Sequence, residues 1–218
     1  MSTVRGRKRS RLSPEARRAQ LIELGVEMLA TRRLDELSVE LIAQTAGISR
    51  GLLFHYFSSK HEFHVEVARA AAAEMLRRTE PDPALAPVEA LRAALTSFIA
   101  YVEENPDNYK SLVRGAASGD ADMRTIFDAT RATMARRIVD VVAAQGLAVS
   151  PRVSLAIAGW VAFVEECVVR WIDTGTVSRD ALLDLLTKSL PAVALSATDE
   201  EVGTLLSILT AEQAIGTK

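Results

Sequence analysis

The sequence predicts an all-α protein, and three observations carry that expectation. Ala, Leu, Glu and Arg dominate and recur at three- and four-residue spacing. Aromatic and β-branched residues are not gathered into alternating runs of the kind that build strands. Helix-start chemistry, a Ser or Asp beside a proline or an early acid, recurs ahead of the apolar segments.

Taken in order, the chain opens on RGRKRSR, where Arg5, Arg7, Lys8, Arg9 and Arg11 meet no acid, so residues 1–12 read as a flexible basic arm. Ser13-Pro14-Glu15 starts a helix with a cap, a proline at its first position and an early acid. From Ser38 to Phe57 the string SVELIAQTAGISRGLLFHYF has the spacing of a helix-turn-helix. Ser38 is placed to cap the first helix, and Ile42 and Ala46 form its apolar stripe beside the small Ala43. Gly47 makes the break, because a tight helix-to-helix turn needs a positive φ that glycine adopts without steric cost. Ile48 plugs the corner, Ser49 caps the second helix, and Leu53 and Phe57, four apart, face the core.

Left outward on that second helix are Arg50, Gly51, Leu52, His55 and Tyr56, a set that suits a DNA groove. Arginine binds guanine O6 and N7 through two parallel hydrogen bonds, glycine admits the backbone to the duplex, leucine meets a thymine methyl, and Tyr or His donates to phosphate. A hairpin whose polar face is merely solvated has the same spacing. Charge favours the DNA reading: residues 1–60 hold 11 Lys or Arg against 6 Asp or Glu, a net of +5, whereas residues 61–218 hold 15 against 22, a net of −7. A basic arm beside a recognition helix can track phosphates or enter the minor groove, although a solubilising tail has the same composition.

Beyond the motif, Ser59-Lys60-His61-Glu62 reads as a capping box opening a helix that ends before Pro81. Pro81 to Pro87 is a linker. A helix follows with Leu91, Leu95, Phe98, Ile99 and Val102, interrupted at Asn105-Pro106, then a short helix through Tyr109 and Val113, with a break at Gly119. Asp120 to Gln145 presents Met123, Phe127, Met134, Ile138 and Val141 on one long helix, which Gly146 ends. Ser150-Pro151 starts a helix to about Thr174 that is apolar on more than one side and is expected to be nearly surrounded. The last helix runs from Ser178 to about Leu195.

Several chemistries are excluded or weak. The single cysteine, Cys167, permits no intrachain disulfide and has no base nearby to make it a nucleophile, so it reads as a small core residue in a reducing, cytoplasmic setting. The longest uncharged apolar stretch, Val153 to Val164, is 12 residues, too short for a bilayer, and the basic N-terminus runs into SPEARR rather than an apolar segment, unlike a secretory signal. His61 and His64 stand three apart without a third ligand, so no metal is assigned. There is no P-loop, dinucleotide glycine pattern or nucleophile elbow; neither an enzyme nor a cofactor is expected.

The string SRGLLFHYFSSKHEF resembles the recognition-helix signature of the TetR-type transcriptional regulators, with Ser49, Arg50, Gly51, Leu52, Leu53, Phe54, His55, Tyr56, Phe57 and Lys60 in its places. SPEARRAQLIELGVEMLATR looks like that family's first helix. Two positions depart from the pattern: Phe54 stands where Tyr is usual, removing a phosphate hydrogen bond, and Arg33 stands where a Gly normally ends the first helix. The resemblance implies a DNA-binding domain over 13–60 and a helical ligand-binding and dimerisation domain over 61–218. It implies a homodimer, paired through the helices from Pro151 to about Thr174 and from Ser178 to about Leu195, on double-stranded, pseudopalindromic operator DNA, with repression, release by an apolar small molecule, and no membrane partner.

Expected DNA contacts are Arg7, Arg9, Ser38, Ser49, Arg50, Gly51, Leu52, His55, Tyr56 and Lys60. Candidate ligand contacts are Phe98, Tyr101, Tyr109, Phe127, Met134, Trp160, Phe163 and Glu165, each of which has simple packing as its alternative. Trp160 and Trp171 stay open between core, pocket wall and interface. Glu165 shares its helix row with Val161, Val168 and Ile172, so its carboxylate either reaches a base from elsewhere or polarises a cavity, whereas Glu166 has Arg170 as a neighbour at i+4. Two rival readings stand beside this one: a DNA-binding or protein-interaction module without an effector, and a helical enzyme or carrier whose N-terminal helices bind protein.

Overall fold

The computed structural model describes residues 13–117, 119–146 and 148–197. Among them are α1 (Pro14–Met28), a 3-10 turn (Leu34–Glu36), α2 (Val39–Ala46), α3 (Arg50–Tyr56), α4 (Lys60–Arg78), α5 (Pro87–Glu104), α6 (Pro106–Ala117), α7 (Ala121–Ala144), α8 (Pro151–Thr174) and α9 (Arg179–Ser196), with no strand among the described residues. The protein is all-α. It divides into two compact units between Ala70 and Ala71, inside α4. The expected basic arm, with Arg7 and Arg9, lies outside the described residues.

The helix starts follow local chemistry. Ser13, Ser38, Ser49, Ser150 and Ser178 each accept the backbone N–H three residues on at 3.1–3.3 Å, and Asp120 takes those of Asp122 and Met123. Each cap satisfies a donor that the first helical turn would leave unpaired. Glycines close three elements in the left-handed region, Gly47 at φ 64°, Gly146 at 77° and Gly175 at 57°.

In the first unit α1, α2, α3 and the start of α4 bury Leu21, Ile42, Leu53, Phe57, Phe63 and Val67. The Phe57 and Phe63 rings meet edge to face at 5.0 Å, and the Arg18 guanidinium lies 4.9 Å over the Phe57 ring while bonding Glu62 and Glu66. Close approach of α1 to α4 depends on Gly25, where a Cβ would sit 2.4 Å from Val67 Cγ2 and 2.9 Å from Phe63 Cζ. Burial pushes the His64 imidazole below its ordinary value, and its Nε2–H donates to the Leu37 carbonyl at 2.9 Å.

The turn after α1 differs from the glycine pattern, as Arg33 implies: α1 ends on right-handed Leu29, and Arg33 sits extended at φ −75°. Its N–H donates to the Glu36 carboxylate and its guanidinium to Asp35, so a polar turn does the work of the missing glycine. At α4 the capping box is shifted by one residue. Ser59 Oγ accepts from Glu62 N, but the Glu62 carboxylate accepts from the N–H and hydroxyl of Ser58 instead of Ser59, which lowers its pKa.

In the second unit α8 lies against α7 and α9, α9 also against α5, and α6 against α7. The core joins Leu95, Phe98, Ile99 and Val102 of α5 to Trp160, Val161, Val164 and Val168 of α8, with Leu182, Leu183 and Leu186 of α9 and Met75 at the end of α4. Phe127, Met134 and Ile138 of α7 are only half-buried. Among the described residues α8 has one open side: Leu155 is 75% exposed and Phe163 40%, and no described helix of this unit covers the face opposite the core.

Candidate functional site

Three helices fix the outward face of α3. Gly47 turns the chain, with Ile48 N–H returning to Ala43 O at 3.0 Å, and open space around Gly47 shows that φ, not crowding, requires glycine. Leu53 and Phe57, 2% and 1% exposed, anchor α3 from below. Arg50, Gly51, Leu52 and His55 are left in solvent, Tyr56 is half-buried with its ring edge to face against His55 at 5.3 Å, and Ser49 and Lys60 are exposed at either end. Ser38 is half-buried, its hydroxyl oxygen occupied by the α2 cap. Lys60 Nζ donates to the Asp35 carbonyl at 3.3 Å.

Two features of this face escape the sequence pattern. Phe54, taken only as a lost tyrosine, is 45% exposed beside Leu52 at 39%, giving α3 an apolar outer edge. Arg50 is not idle: Nη2 lies 3.0 Å from Glu40 Oε1 on α2, both side chains well exposed. An exposed pair of this kind contributes about 0–1 kcal/mol, so a guanine or a phosphate competes for the guanidinium at little cost. The face is therefore cationic at one end, apolar in the middle and aromatic at the other, a combination that meets phosphates and base edges together.

The second feature is a cavity of about 80 Å³ in the C-terminal unit. Phe98, Met134, Trp160 and Glu165 line it, as do Thr79 and Arg137, which the sequence did not suggest. Trp160 is fixed there by donating Nε1–H to Ser189 Oγ on α9 at 2.8 Å. The other four candidates lie elsewhere. Tyr101 donates its hydroxyl to Ala71 O at 3.2 Å, and burial pushes its pKa to about 12. Tyr109 is buried edge to face against Phe98 at 5.7 Å, with no partner for its hydroxyl among the described residues. Phe127 lies under the Arg131 guanidinium at 4.2 Å, and Phe163 is on the open face of α8.

Glu165 resolves its two readings together. It borders the cavity, only 6% exposed, and Arg131 of α7 grips its Oε2 through Nε and Nη2. Burial raises the carboxyl above its usual range, with the Arg131 hydrogen bond and charge opposing the shift. Glu166 pairs with Arg170 on the exposed side, as its spacing predicts. No described helix is long and apolar enough to cross a membrane.

Comparison with known proteins follows the same division. The family description "Bacterial regulatory proteins, tetR family" matches residues 21–67, and "Tetracyclin repressor-like, C-terminal domain" matches 87–193. The HTH-type transcriptional repressor KstR2 of Mycolicibacterium smegmatis is 34% identical over 92 residues, 41% of this chain and 45% of the relative. The HTH-type transcriptional activator FasR of the same species is 29% identical over 111 residues, 48% of each chain. The chain thus spans about half the length of these relatives. A tetR-family transcriptional regulator from Streptomyces coelicolor superposes with a TM-score of 0.78 at 25% identity, covering 92% of this chain and 90% of that one. A capped helix-turn-helix and a helical C-terminal unit, each matching its own family description, show that the chain belongs to the TetR family of bacterial regulatory proteins.

Proposed function

We propose that the chain represses transcription as a homodimer on a pseudopalindromic operator in the cytoplasm, and that an apolar small molecule held in the C-terminal cavity releases it. The observation that carries the DNA half is the outward face of α3, held rigid by the Ser49 cap and the buried Leu53 and Phe57 while Arg50, Leu52, Phe54 and His55 stand free of the core. Arg50, Gly51, Leu52, Phe54 and His55 read base edges; Ser38, Ser49, Tyr56, Lys60 and the arm with Arg7 and Arg9 hold phosphates. Selection of bound sequences from random DNA is expected to yield a two-fold symmetric motif, and an asymmetric or featureless outcome defeats the proposal.

The face of α8 that no described helix covers supports the homodimer. Leu155, Gly159 and Phe163 stand at successive four-residue steps, forming one exposed stripe, and the space around Gly159 is open. Leu185, 51% exposed, adds an apolar position on α9. A two-fold pair closing this stripe against its own copy removes apolar surface that a monomer leaves in water. Leu155→Arg is expected to convert a dimer into a species of monomer mass in sedimentation, with weakened operator binding; an unchanged dimer places the interface elsewhere.

Release is a population shift. The ligand favours a conformer in which α4 tilts and the paired recognition helices no longer match successive major grooves; by linkage, operator DNA weakens ligand binding by the same factor. The apolar walls around Phe98, Met134 and Trp160 support an apolar ligand body. Repression is proposed from KstR2, whose name describes a repressor, although FasR bears the name of an activator.

A further inference from the structure

We propose that Arg137 is a latch joining the cavity to the last turn of α4, and that the effector carries an anionic head on its apolar body which draws Arg137 off that turn. The inference rests on the reading that this cavity takes the effector, and it names the head group and the residue through which binding is felt.

Arg137 is the wall residue that ties α7 to α4. From α7 it lines the cavity, and its Nη1 donates to the carbonyl of Leu76 at 2.7 Å. Leu76 lies in the final turn of α4, where carbonyls have no intrahelical amide partner, and a cation there satisfies the acceptor and opposes the negative end of the helix dipole. Thr79, also on the cavity wall, donates to Met75 O at 2.8 Å and, more weakly, to Leu76 O at 3.4 Å. One end of the cavity is thus built against the end of α4.

Charge selects the head group. Arg131 is spent on Glu165, and Arg78 on Glu74 and Glu104. Arg137 is half-buried and pairs with no carboxylate among the described residues; a guanidinium has five N–H donors, and among the described residues one of them is used, on Leu76 O. A carboxylate entering beside Thr79 accepts two of those donors in the bidentate geometry that arginine prefers. Its two charge-assisted bonds compete with a single bond to a neutral carbonyl, so the guanidinium turns toward the ligand. Leu76 O then keeps only the weak Thr79 bond, and α4 is released from α7 at the point where it enters the unit. The apolar body lies toward Phe98 and Met134, and Met134, unbranched and adaptable, yields to chains longer than about 80 Å³ admits.

The test uses full-length protein, its selected DNA, and three probes of one chain length: octanoate, octan-1-ol and octylamine. In calorimetric titration octanoate is expected to bind at least about tenfold more tightly than octan-1-ol, with octylamine weakest, and octanoate alone is expected to release DNA. Arg137→Gln should abolish the preference for octanoate over octan-1-ol and weaken DNA binding in the absence of any probe. Arg137→Lys, which keeps a cation within reach of the carbonyl, should restore part of both. Equal affinity for octanoate and octan-1-ol in the unaltered protein overturns the anionic head while leaving an apolar effector standing. A preference for octanoate that survives in both Arg137 variants, with helical content intact by circular dichroism, overturns the latch. Failure of all three probes to bind or to release DNA overturns this inference together with the reading beneath it.

Discussion

Phe57→Ala is expected to destabilise the DNA-binding unit by about 3–5 kcal/mol, the range for truncating a buried aromatic ring. The side chain is 1% exposed and serves three contacts at once: it anchors the end of α3, packs edge to face on Phe63, and carries the Arg18 guanidinium on its face. Alanine leaves a void under the recognition helix and removes the surface on which Arg18 lies while bonding Glu62 and Glu66. Set against a total of roughly 5–15 kcal/mol for a domain, the loss takes a large fraction of what is present. Chemical denaturation followed by circular dichroism, with gel retardation of the selected DNA, measures both consequences. A loss under about 1 kcal/mol with normal retardation means that Phe57 does not position α3.

The second large effect concerns the buried pair in the C-terminal unit. Arg131→Ala leaves the Glu165 carboxylate in an interior that has withdrawn it from water, and breaking such a pair from one side costs on the order of 3 kcal/mol. The partial exposure of Arg131 keeps the figure at the lower end. The pH dependence has a definite sign. Glu165 already has a raised pKa in the folded state, so its contribution is most favourable in acid, below the ordinary carboxylate value, and is lost as pH rises through the raised value. Without Arg131 the carboxyl rises further, and the difference in melting temperature between variant and parent should be larger at pH 7 than at pH 5. Adding Glu165→Gln to Arg131→Ala should recover most of the loss at pH 7, since no charge then remains to be buried. A pH-independent difference, or no recovery in the double variant, argues that the pair is not electrostatically coupled.

What the sequence revealed, and what it hid, divides by range along the chain. Ser13, Ser38, Ser49, Asp120, Ser150 and Ser178 were legible as caps because a cap bonds an amide two or three residues on, within the same turn. Gly47 was legible because an alternative residue at φ 64° is strained. Arg33 shows the limit of such patterns: Asp35 and Glu36 supply a different way of ending the segment, which a missing glycine does not announce. Glu165 was visibly anomalous, yet its partner Arg131 stands 34 residues away on another helix, and helical spacing says nothing of that. For the same reason the Arg50–Glu40 pair and the bond from Arg137 to Leu76 were hidden. That Leu155 and Phe163 lie on an exposed face was hidden, because an apolar stripe looks the same in sequence whether it packs inside one chain or against a second copy.

The tethering of Trp160 has a practical corollary. Its indole borders the cavity with its N–H engaged by Ser189 Oγ, which itself donates to Leu186 O, while the other indole, Trp171, donates to Val177 O. The chain thus contains an internal optical gauge: a guest touching the Trp160 ring should alter its ultraviolet emission against a steadier background from Trp171, so occupancy can be followed by light without attaching a dye.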